Sequence, residues 1–270
     1  MWLDNASEEL LDWFWQSCGE TETFPRQLER AVALALPVAL VKLPRLHLLS
    51  VEDWLRRRGI PFRFHCESRA VRGCLLAFRG KGWIFLDGSD PDDERRFTLA
   101  HEIAHFLLDY WQPRRRAIER FGNGIVHVLD GTRPPQVSER VYALLAGIPI
   151  GMQVKLMERG VASGEVWKIE DRADKMALAL LAPPEQVLAR VELDTTDFRL
   201  RLDKTTRIMM EAFGLSRSVA PLYARALLEA IGQGPSWIEH FRRVSNPQPS
   251  EANSQDRLES NLPSADRNGE

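Results

Sequence analysis

The sequence predicts an α+β fold, in which a small, mostly antiparallel sheet packs against a helix that carries two histidines, followed by a helical C-terminal region. Three observations indicate this class. Two β-prone apolar runs, Val71–Phe78 and Trp83–Asp87, flank a Gly-containing turn and predict a hairpin. An apolar helix follows soon after Asp90. Beyond Glu165, the chain consists mostly of segments with helical periodicity.

Composition and charge limit the classes of protein to which this chain can belong. Its 270 residues suggest one or two domains, and a hydrophobic fraction of 44% allows a sizeable core. The formal net charge of −2 argues against a globally basic nucleic-acid binder, although a local basic patch stays compatible with it.

The three cysteines, Cys18, Cys66 and Cys74, form no CxxC pair. This pattern argues against a disulfide framework or a Cys-rich zinc module and favours a reducing compartment. No run approaches the ~18–20 apolar residues of a membrane span, and the N-terminus lacks the basic segment of a signal peptide. We therefore expect a cytoplasmic protein without a membrane partner.

The first part of the chain, residues 1–44, is expected to form a helical N-terminal extension whose tryptophans belong to a core or a docking face. Ser50 is expected to cap a short helix, Val51–Arg58, that stops at Gly59. A further strand is expected at Pro61–His65.

The helix after the hairpin has clear start signals. Asp90 can cap it, Pro91 suits its first position, and acidic side chains follow in its first turn. We expect this helix to run to about Tyr110, before Pro113.

The segment 112–163 is interpreted as an insertion in a domain that spans residues 45–190. Within it we expect a short strand at Ile125–Leu129 and helices at Val137–Leu145 and Met152–Arg159.

The C-terminal part of the chain is expected to be helical until its last residues. A long helix from about Glu165 should end before Pro183, and residues 191–244 should form a helical region. That region is expected to contain helices at Leu193–Phe213, Arg217–Ile231 and Trp237–Val244. The polar, Ser- and Pro-rich stretch 245–270 is expected to be disordered.

The helix around His101 carries one polar stripe on an otherwise apolar surface, formed by Thr98, His101, Glu102, His105 and Asp109. Because unpaired buried polar groups cost ~1–3 kcal/mol each, a metal ion is the natural partner for such a stripe. His101 and His105 are one turn apart and can reach one ion, while Glu102 is placed to take a proton from a metal-bound water. The spacing predicts a catalytic Zn²⁺ site.

Two histidines do not complete such a site, so a third ligand is needed. Glu170 and Asp174 lie one turn apart on a later amphipathic helix. Glu170 can give a carboxylate oxygen to zinc, and Asp174 can accept the second ring N–H of a ligating histidine. The residues alone leave open that Glu170 is a solvated acid and that Asp109 or His127 ligates instead. His127 could also donate to an oxyanion or be an ordinary hydrogen-bonded histidine.

The chain resembles the ImmA/IrrE family of zinc metallopeptidases. The likeness rests on the hairpin and on two motifs, Arg96–His105 and Glu170–Pro183. It implies that His101, His105 and Glu170 ligate zinc and that Glu102 is the general base. Two features depart from the family pattern: Met176 stands where Phe is usual, and the segment between His105 and Glu170 is longer.

The resemblance implies a zinc-dependent endopeptidase with a narrow protein substrate, often a helix-turn-helix transcriptional repressor. Two alternatives stay open: a DNA-associated regulator, and a toxin–antitoxin or phage component. In both, the zinc site would be structural or sensory.

The segment Ile208–Ala220 has the pattern of a helix-turn-helix, with Gly214 ending one helix and Ser216 able to cap the next. Arg217 and Ser218 would then begin a DNA-recognition helix. The other interpretation is a helical hairpin with a solvated basic face, in which nucleic acid is not a partner.

Overall fold

The computed structural model describes residues 2–19, 23–148, 150–159, 172–191 and 197–234. Glu170, the predicted helix Trp237–Val244 and the predicted disordered tail 245–270 lie outside these ranges. The domain boundaries expected from the sequence stay predictions.

A four-stranded sheet lies at the centre of the fold. Its strands are β1 (Val38–Leu43), β2 (Val71–Phe78), β3 (Lys81–Asp87) and β4 (Gln153–Glu158). They are ordered β1-β3-β2-β4, with β1 parallel to β3 and the other two pairs antiparallel. The prediction of a mixed α+β fold with a mostly antiparallel sheet is therefore confirmed.

Helices surround this sheet and make up most of the described chain. They are α1 (Asn5–Cys18), α2 (Leu28–Ala35), α3 (Leu48–Arg56), α4 (Asp92–His105), α5 (Gln112–Phe121), α6 (Val126–Leu129), α7 (Val137–Leu145), α8 (Arg172–Leu181), α9 (Pro184–Leu188), α10 (Phe198–Glu211) and α11 (Ala220–Ala230). None of the helices described is long and apolar enough to cross a membrane.

The β2–β3 hairpin forms as predicted, with a tighter turn. Arg79 and Gly80 connect the strands with φ of 50° and 74°. A two-residue turn with positive φ at both positions matches the twist of the flanking strands. Lys81 and Gly82, expected in the turn, already pair with Phe78 and Ala77.

The prediction that residues 1–44 are helical is wrong at β1. Val38–Leu43 pairs in parallel with β3, and apolar side chains on both faces of the strand pack partly buried against the core. Leu40 packs into the core on one face, while Val41 packs into the cluster on the other. A strand covered on both faces gives a continuous apolar run, which periodicity cannot distinguish from a buried helix.

The prediction of a helix at Met152–Arg159 is also wrong, because Gln153–Glu158 pairs with β2 as the strand β4. Val154 and Leu156 pack on one side of the sheet, and Met157 packs on the other. This alternation is that of a strand. The segment predicted as an insertion thus contributes an outer strand to the sheet.

Two smaller strand predictions fail for local reasons. Ile125–Leu129 is helical, and its buried residues Ile125, Val128 and Leu129 have helical spacing. Pro61–His65 forms no strand; instead, the backbone N–H of Phe64 donates to the Glu52 side chain at 2.7 Å.

The starts and ends of the helices around the sheet shift by a few residues. Helix α3 begins at Leu48, and Ser50 acts from inside it, accepting a hydrogen bond from the His47 N–H at 3.1 Å. Helix α4 begins at Asp92 with Pro91 as its N-cap, one residue later than predicted.

The predicted helix end at Tyr110 is also wrong, because the chain stays helical past it. A π-helical turn, Phe106–Trp111, joins α4 directly to α5. Pro113 lies in the first turn of α5, where its missing N–H costs little. Farther along, α7 has its predicted bounds, and α8 ends before Pro183 as expected.

Helix α4 lies in the middle of the main core. It packs against β2 and β3 on one side and against α8 on the other. Between Phe97 and Ala104, its side chains are buried except for His101. Trp2, near the start of the chain, donates its indole N–H to the Lys175 carbonyl of α8 at 3.0 Å. The polar stripe of α4 therefore lies where α4 packs against the sheet and α8.

Candidate active site

The last turns of α4 bring His101, Glu102 and His105 together. The two imidazole rings are 4.6 Å apart between centroids, with an interplanar angle of 79°. Each histidine side chain is 12% exposed, so solvent reaches both rings only in part. One turn of helix thus places two nitrogen donors side by side, as the spacing predicts.

A buried carboxylate orients His101. Asp174 Oδ1, from α8, lies 2.8 Å from His101 Nδ1. Because a carboxylate accepts, the proton belongs on Nδ1, and Nε2 is the nitrogen suited to a metal. The contact that the sequence predicted between Asp174 and a histidine is therefore present.

A second carboxylate orients His105. Asp109 Oδ2 accepts from His105 Nδ1 at 2.8 Å and from Lys155 Nζ at 2.9 Å. Burial alone would raise the pKa of Asp109, but these two hydrogen bonds and their charges lower it to about 2. The sequence left open that Asp109 is itself a metal ligand. In the structure it contacts His105 Nδ1 instead.

Glu102 is fully buried at 0% exposure. Within the described part of the chain, neither of its carboxylate oxygens has a hydrogen-bond partner. Burial raises its pKa to about 8, partly offset by the charges of His101 and Lys155. A buried acid without a partner is costly, and acids with strongly raised pKa values are concentrated at functional sites, so Glu102 is a candidate functional residue.

Gly73 in β2 makes room for Glu102. A Cβ at this position would lie 2.5 Å from Glu102 Oε1 and 2.7 Å from Thr98 Cγ2. The β2–β4 pairing is also irregular between Val71 and Gly73. The strand therefore approaches α4 more closely than any larger residue would allow.

The comparison with known families agrees with this geometry. Residues 62–124 match the IrrE N-terminal-like domain of the Peptidase_M78 family. This segment belongs to the ImmA/IrrE family. The matched range includes β2, β3 and α4, and with them His101, Glu102 and His105. No curated protein and no solved structure matches the chain.

The match of residues 62–124 to this family points to a metallopeptidase-type function and hence to a protein substrate. Within the described ranges, no group of three or more His, Cys, Asp or Glu residues is in position to hold a metal ion. The donors present nevertheless fit zinc, since both histidines have Nδ1 on a carboxylate, as zinc-ligating histidines usually do. Glu170, predicted as third ligand, lies outside the described residues.

Two residues near this ImmA/IrrE-type helix were missed by the sequence analysis, Gly73 and Lys155. A glycine inside an apolar strand run signals a close approach of backbone, and that signal was available. Lys155 could not be found, because its position depends on β4 being a strand rather than a helix.

His127 is not brought to the α4 helix by any contact among the described residues. It is exposed on α6, with Nδ1 3.3 Å from Thr132 Oγ1. The helix that carries it packs in a separate small cluster with α5. These contacts favour an ordinary hydrogen-bonded histidine.

The segment with the helix-turn-helix pattern joins α10 to α11, which pack together as a helical hairpin. Helix α11 begins at Ala220, and its residues Ala220, Tyr223 and Ala224 are buried in the main core. The Ser218 hydroxyl, which would face DNA in a helix-turn-helix, donates to Glu94 Oε1 at 2.6 Å. An acidic partner at this position argues against a phosphate-binding surface.

Proposed function

We propose that this protein is a zinc-dependent endopeptidase with Glu102 as its general base. The observation that carries the proposal is a fully buried glutamate, without a partner in the described chain, beside two histidines held at Nδ1. A cation and a reacting water in the space beside Glu102 would offset the cost of burying this acid without a partner.

The zinc ligands in this proposal are His101, His105 and Glu170. Asp174 accepts from His101 Nδ1 and Asp109 accepts from His105 Nδ1. Each histidine therefore presents Nε2 with a fixed ring orientation. When bound, zinc supplies Lewis acidity, which polarises the scissile carbonyl and acidifies water. The third ligand rests on the family resemblance, which assigns this role to Glu170.

Glu102 moves the proton in this mechanism. Its carboxylate accepts a proton from the attacking water and then gives it to the leaving amine. A buried carboxylate with a raised pKa holds a proton more readily than a solvated one, which suits the second step. Glu102 would accept the proton in its ionised form, which a positive charge at the proposed zinc site would favour.

The substrate in this proposal is a protein cleaved at few positions, with a helix-turn-helix repressor as the first candidate from the family resemblance. The strand β4 ends the sheet order and carries Lys155, which reaches the α4 site. An extended substrate segment added along such an outer strand would run beside the histidines.

The experiment that tests this function pairs zinc content with cleavage in Glu102→Gln. A helix-turn-helix repressor from the same genome, taken first from any gene that adjoins this one, is co-expressed as the substrate. We expect zinc to be retained and cleavage to fall at least ~100-fold, because general acid–base catalysis contributes about 10²–10⁴-fold. Asp92→Asn, an exposed carboxylate change on the same helix, is the matched control and should cleave normally.

Unchanged cleavage in Glu102→Gln would show that Glu102 is not the general base. The alternative functions, a DNA-associated regulator or a toxin–antitoxin or phage component, predict zinc binding with no cleavage that depends on Glu102. The same measurement therefore separates them from the peptidase.

A further inference from the structure

The two histidines of the site are held unequally. The Asp174 side chain is 9% exposed and lies on α8, a helix packed along α4. The Asp109 side chain is 43% exposed and lies on the π-helical turn after α4. An exposed carboxylate loses more rotamer freedom when it is fixed against a histidine, so Asp109 needs a second contact to be equally well oriented.

Lys155 provides that contact from a different part of the fold. Its ammonium lies 2.9 Å from Asp109 Oδ2, the oxygen that also accepts from His105 Nδ1 at 2.8 Å. Lys155 is held opposite Leu75 in the β2–β4 ladder, so its backbone is fixed by the sheet. Two donors that converge on one oxygen from fixed elements define the orientation of the carboxylate.

We propose that Lys155 is a positioning residue for His105 and acts through Asp109. The proposal rests on the zinc-peptidase function above and extends it, because it makes β4 part of the metal site. The segment between His105 and Glu170 would then keep the second zinc ligand in place.

A purely electrostatic role for Lys155 predicts the opposite result. Its positive charge is close enough to act on Glu102, and the same charge would repel a divalent cation. If Lys155 acted only through its charge, its removal would raise zinc affinity. If it positions His105, its removal lowers zinc affinity. The sign of the change therefore distinguishes the two roles.

The experiment measures zinc affinity by competition with a chromophoric chelator, using the full chain. Loss of an outer partner of a zinc ligand typically costs about 10–100-fold in affinity, so we expect a loss in that range for Asp109→Ala. Lys155→Met, one contact further out, should lose about three- to tenfold, at or below the lower end of that range. Lys155→Arg should restore affinity, because it keeps both the charge and the reach to Asp109.

The double variant Lys155→Met with Asp109→Ala tests the route. If Lys155 acts through Asp109, the double variant binds zinc as the single Asp109→Ala variant does. The matched control is Arg69→Met. It removes an ion pair with Glu158, which lies on β4 like Lys155 but does not contact Asp109, so this variant should bind zinc normally. Substituted cobalt gives a second readout, since a displaced His105 changes its visible absorption.

Unchanged or increased zinc affinity in Lys155→Met, or additive losses in the double variant, would overturn the positioning role. A wild-type protein that binds zinc but cleaves nothing would contradict the peptidase function, while these affinities would still decide the role of Lys155. A wild-type protein that binds no zinc would contradict both.

Discussion

Three carboxylates serve the site at three levels of burial. Glu102 is fully buried with its pKa raised to about 8 by burial, and it is suited to carry a proton. Asp174, 9% exposed, meets His101, while Asp109, 43% exposed, meets His105 and has a pKa of about 2 because of its hydrogen-bond donors. These environments are consistent with the proposed division of roles, in which Glu102 transfers the proton and the other two acids orient the histidine rings.

Gly73 sets the space that Glu102 occupies, so Gly73→Ala should disturb the general base directly. The added methyl would lie 2.5 Å from Glu102 Oε1, and either the carboxylate or β2 must shift. We expect cleavage to fall at least ~10-fold and stability to fall by about 1–3 kcal/mol, the usual cost of overpacking a core. Cleavage assays and urea unfolding measure the two effects.

Gly124→Ala is the matched control for this change, because an added Cβ meets nothing within 4 Å there. It should leave cleavage unaffected. If Gly73→Ala cleaves and unfolds like the wild type, the close approach of β2 to Glu102 matters neither for cleavage nor for stability.

At the scale of elements, Asp87 ties the ends of three segments together. It ends β3 at 2% exposure and accepts from the backbone N–H groups of Arg45 and Leu46 at 3.0 and 2.9 Å. It also accepts from the Ser89 N–H at 2.8 Å and pairs with Arg159, just beyond β4. The loop after β1, the end of β3 and the end of β4 therefore meet at one carboxylate.

Asp87→Asn should destabilise the protein most at neutral pH. Burial would raise the pKa of Asp87, but hydrogen bonds from Ser89, Leu46 and Arg159 hold it below its usual range. Its stabilisation is thus present above the unfolded pKa of about 3.9 and is lost as the pH falls through the folded value. We expect a loss of about 1–3 kcal/mol at pH 7, because the backbone N–H groups of Arg45, Leu46 and Ser89 then face an uncharged amide, while Arg159 keeps its ion pair with Asp90.

Urea unfolding at pH 7 and at stepwise lower pH down to about 3 measures this difference. The gap between wild type and Asp87→Asn should narrow as the pH falls below about 4. Asp53→Asn, which removes an exposed ion pair with Arg56, should stay within about 1 kcal/mol of wild type. A gap that does not depend on pH would show that the charge of Asp87 contributes nothing.

The elements with local signals were predictable from the sequence, and those defined by distant partners were not. The hairpin has a turn between two β-prone runs, and α4 begins with three acidic residues. Both elements can therefore be predicted from residues that are neighbours in the sequence. The segments Val38–Leu43 and Gln153–Glu158 are strands because the first pairs with β3 and the second pairs with β2. Their short apolar runs have no period that separates strand from helix.

The candidate site divides in the same way. His101, Glu102 and His105 follow from spacing on one helix, and the contact of Asp174 with a histidine follows from one-turn spacing on another. Lys155 depends on the pairing of β4 with β2, which no single sequence shows. The sequence therefore identifies the proposed reacting groups and Asp174, but it does not identify Lys155.

At the scale of the whole molecule, the proposed metal centre joins parts of the chain that are far apart in sequence. His101 and His105 lie on α4, and Glu170 precedes the described start of α8 by two residues. Helices α4 and α8 already pack together, and their buried residues share one core with α1, α2 and α11. An ion bound by both segments would add a cross-link at the centre of this core.

Zinc should therefore stabilise the whole fold, and chelation should lower the melting temperature. A ligand at 100 times its Kd adds about 2.7 kcal/mol to the folded state. For a chain of this size, that corresponds to a shift of roughly 5–11 °C, measured by thermal unfolding with zinc and with chelator.

Because Glu170→Ala removes one proposed ligand, it should melt like the chelated wild type and gain much less on addition of zinc. Glu185→Ala, an exposed acid just after α8, should keep the full gain. A full zinc-dependent gain in Glu170→Ala would place the third ligand elsewhere in the chain, while no gain in the wild type would contradict a zinc centre that joins α4 to the segment before α8.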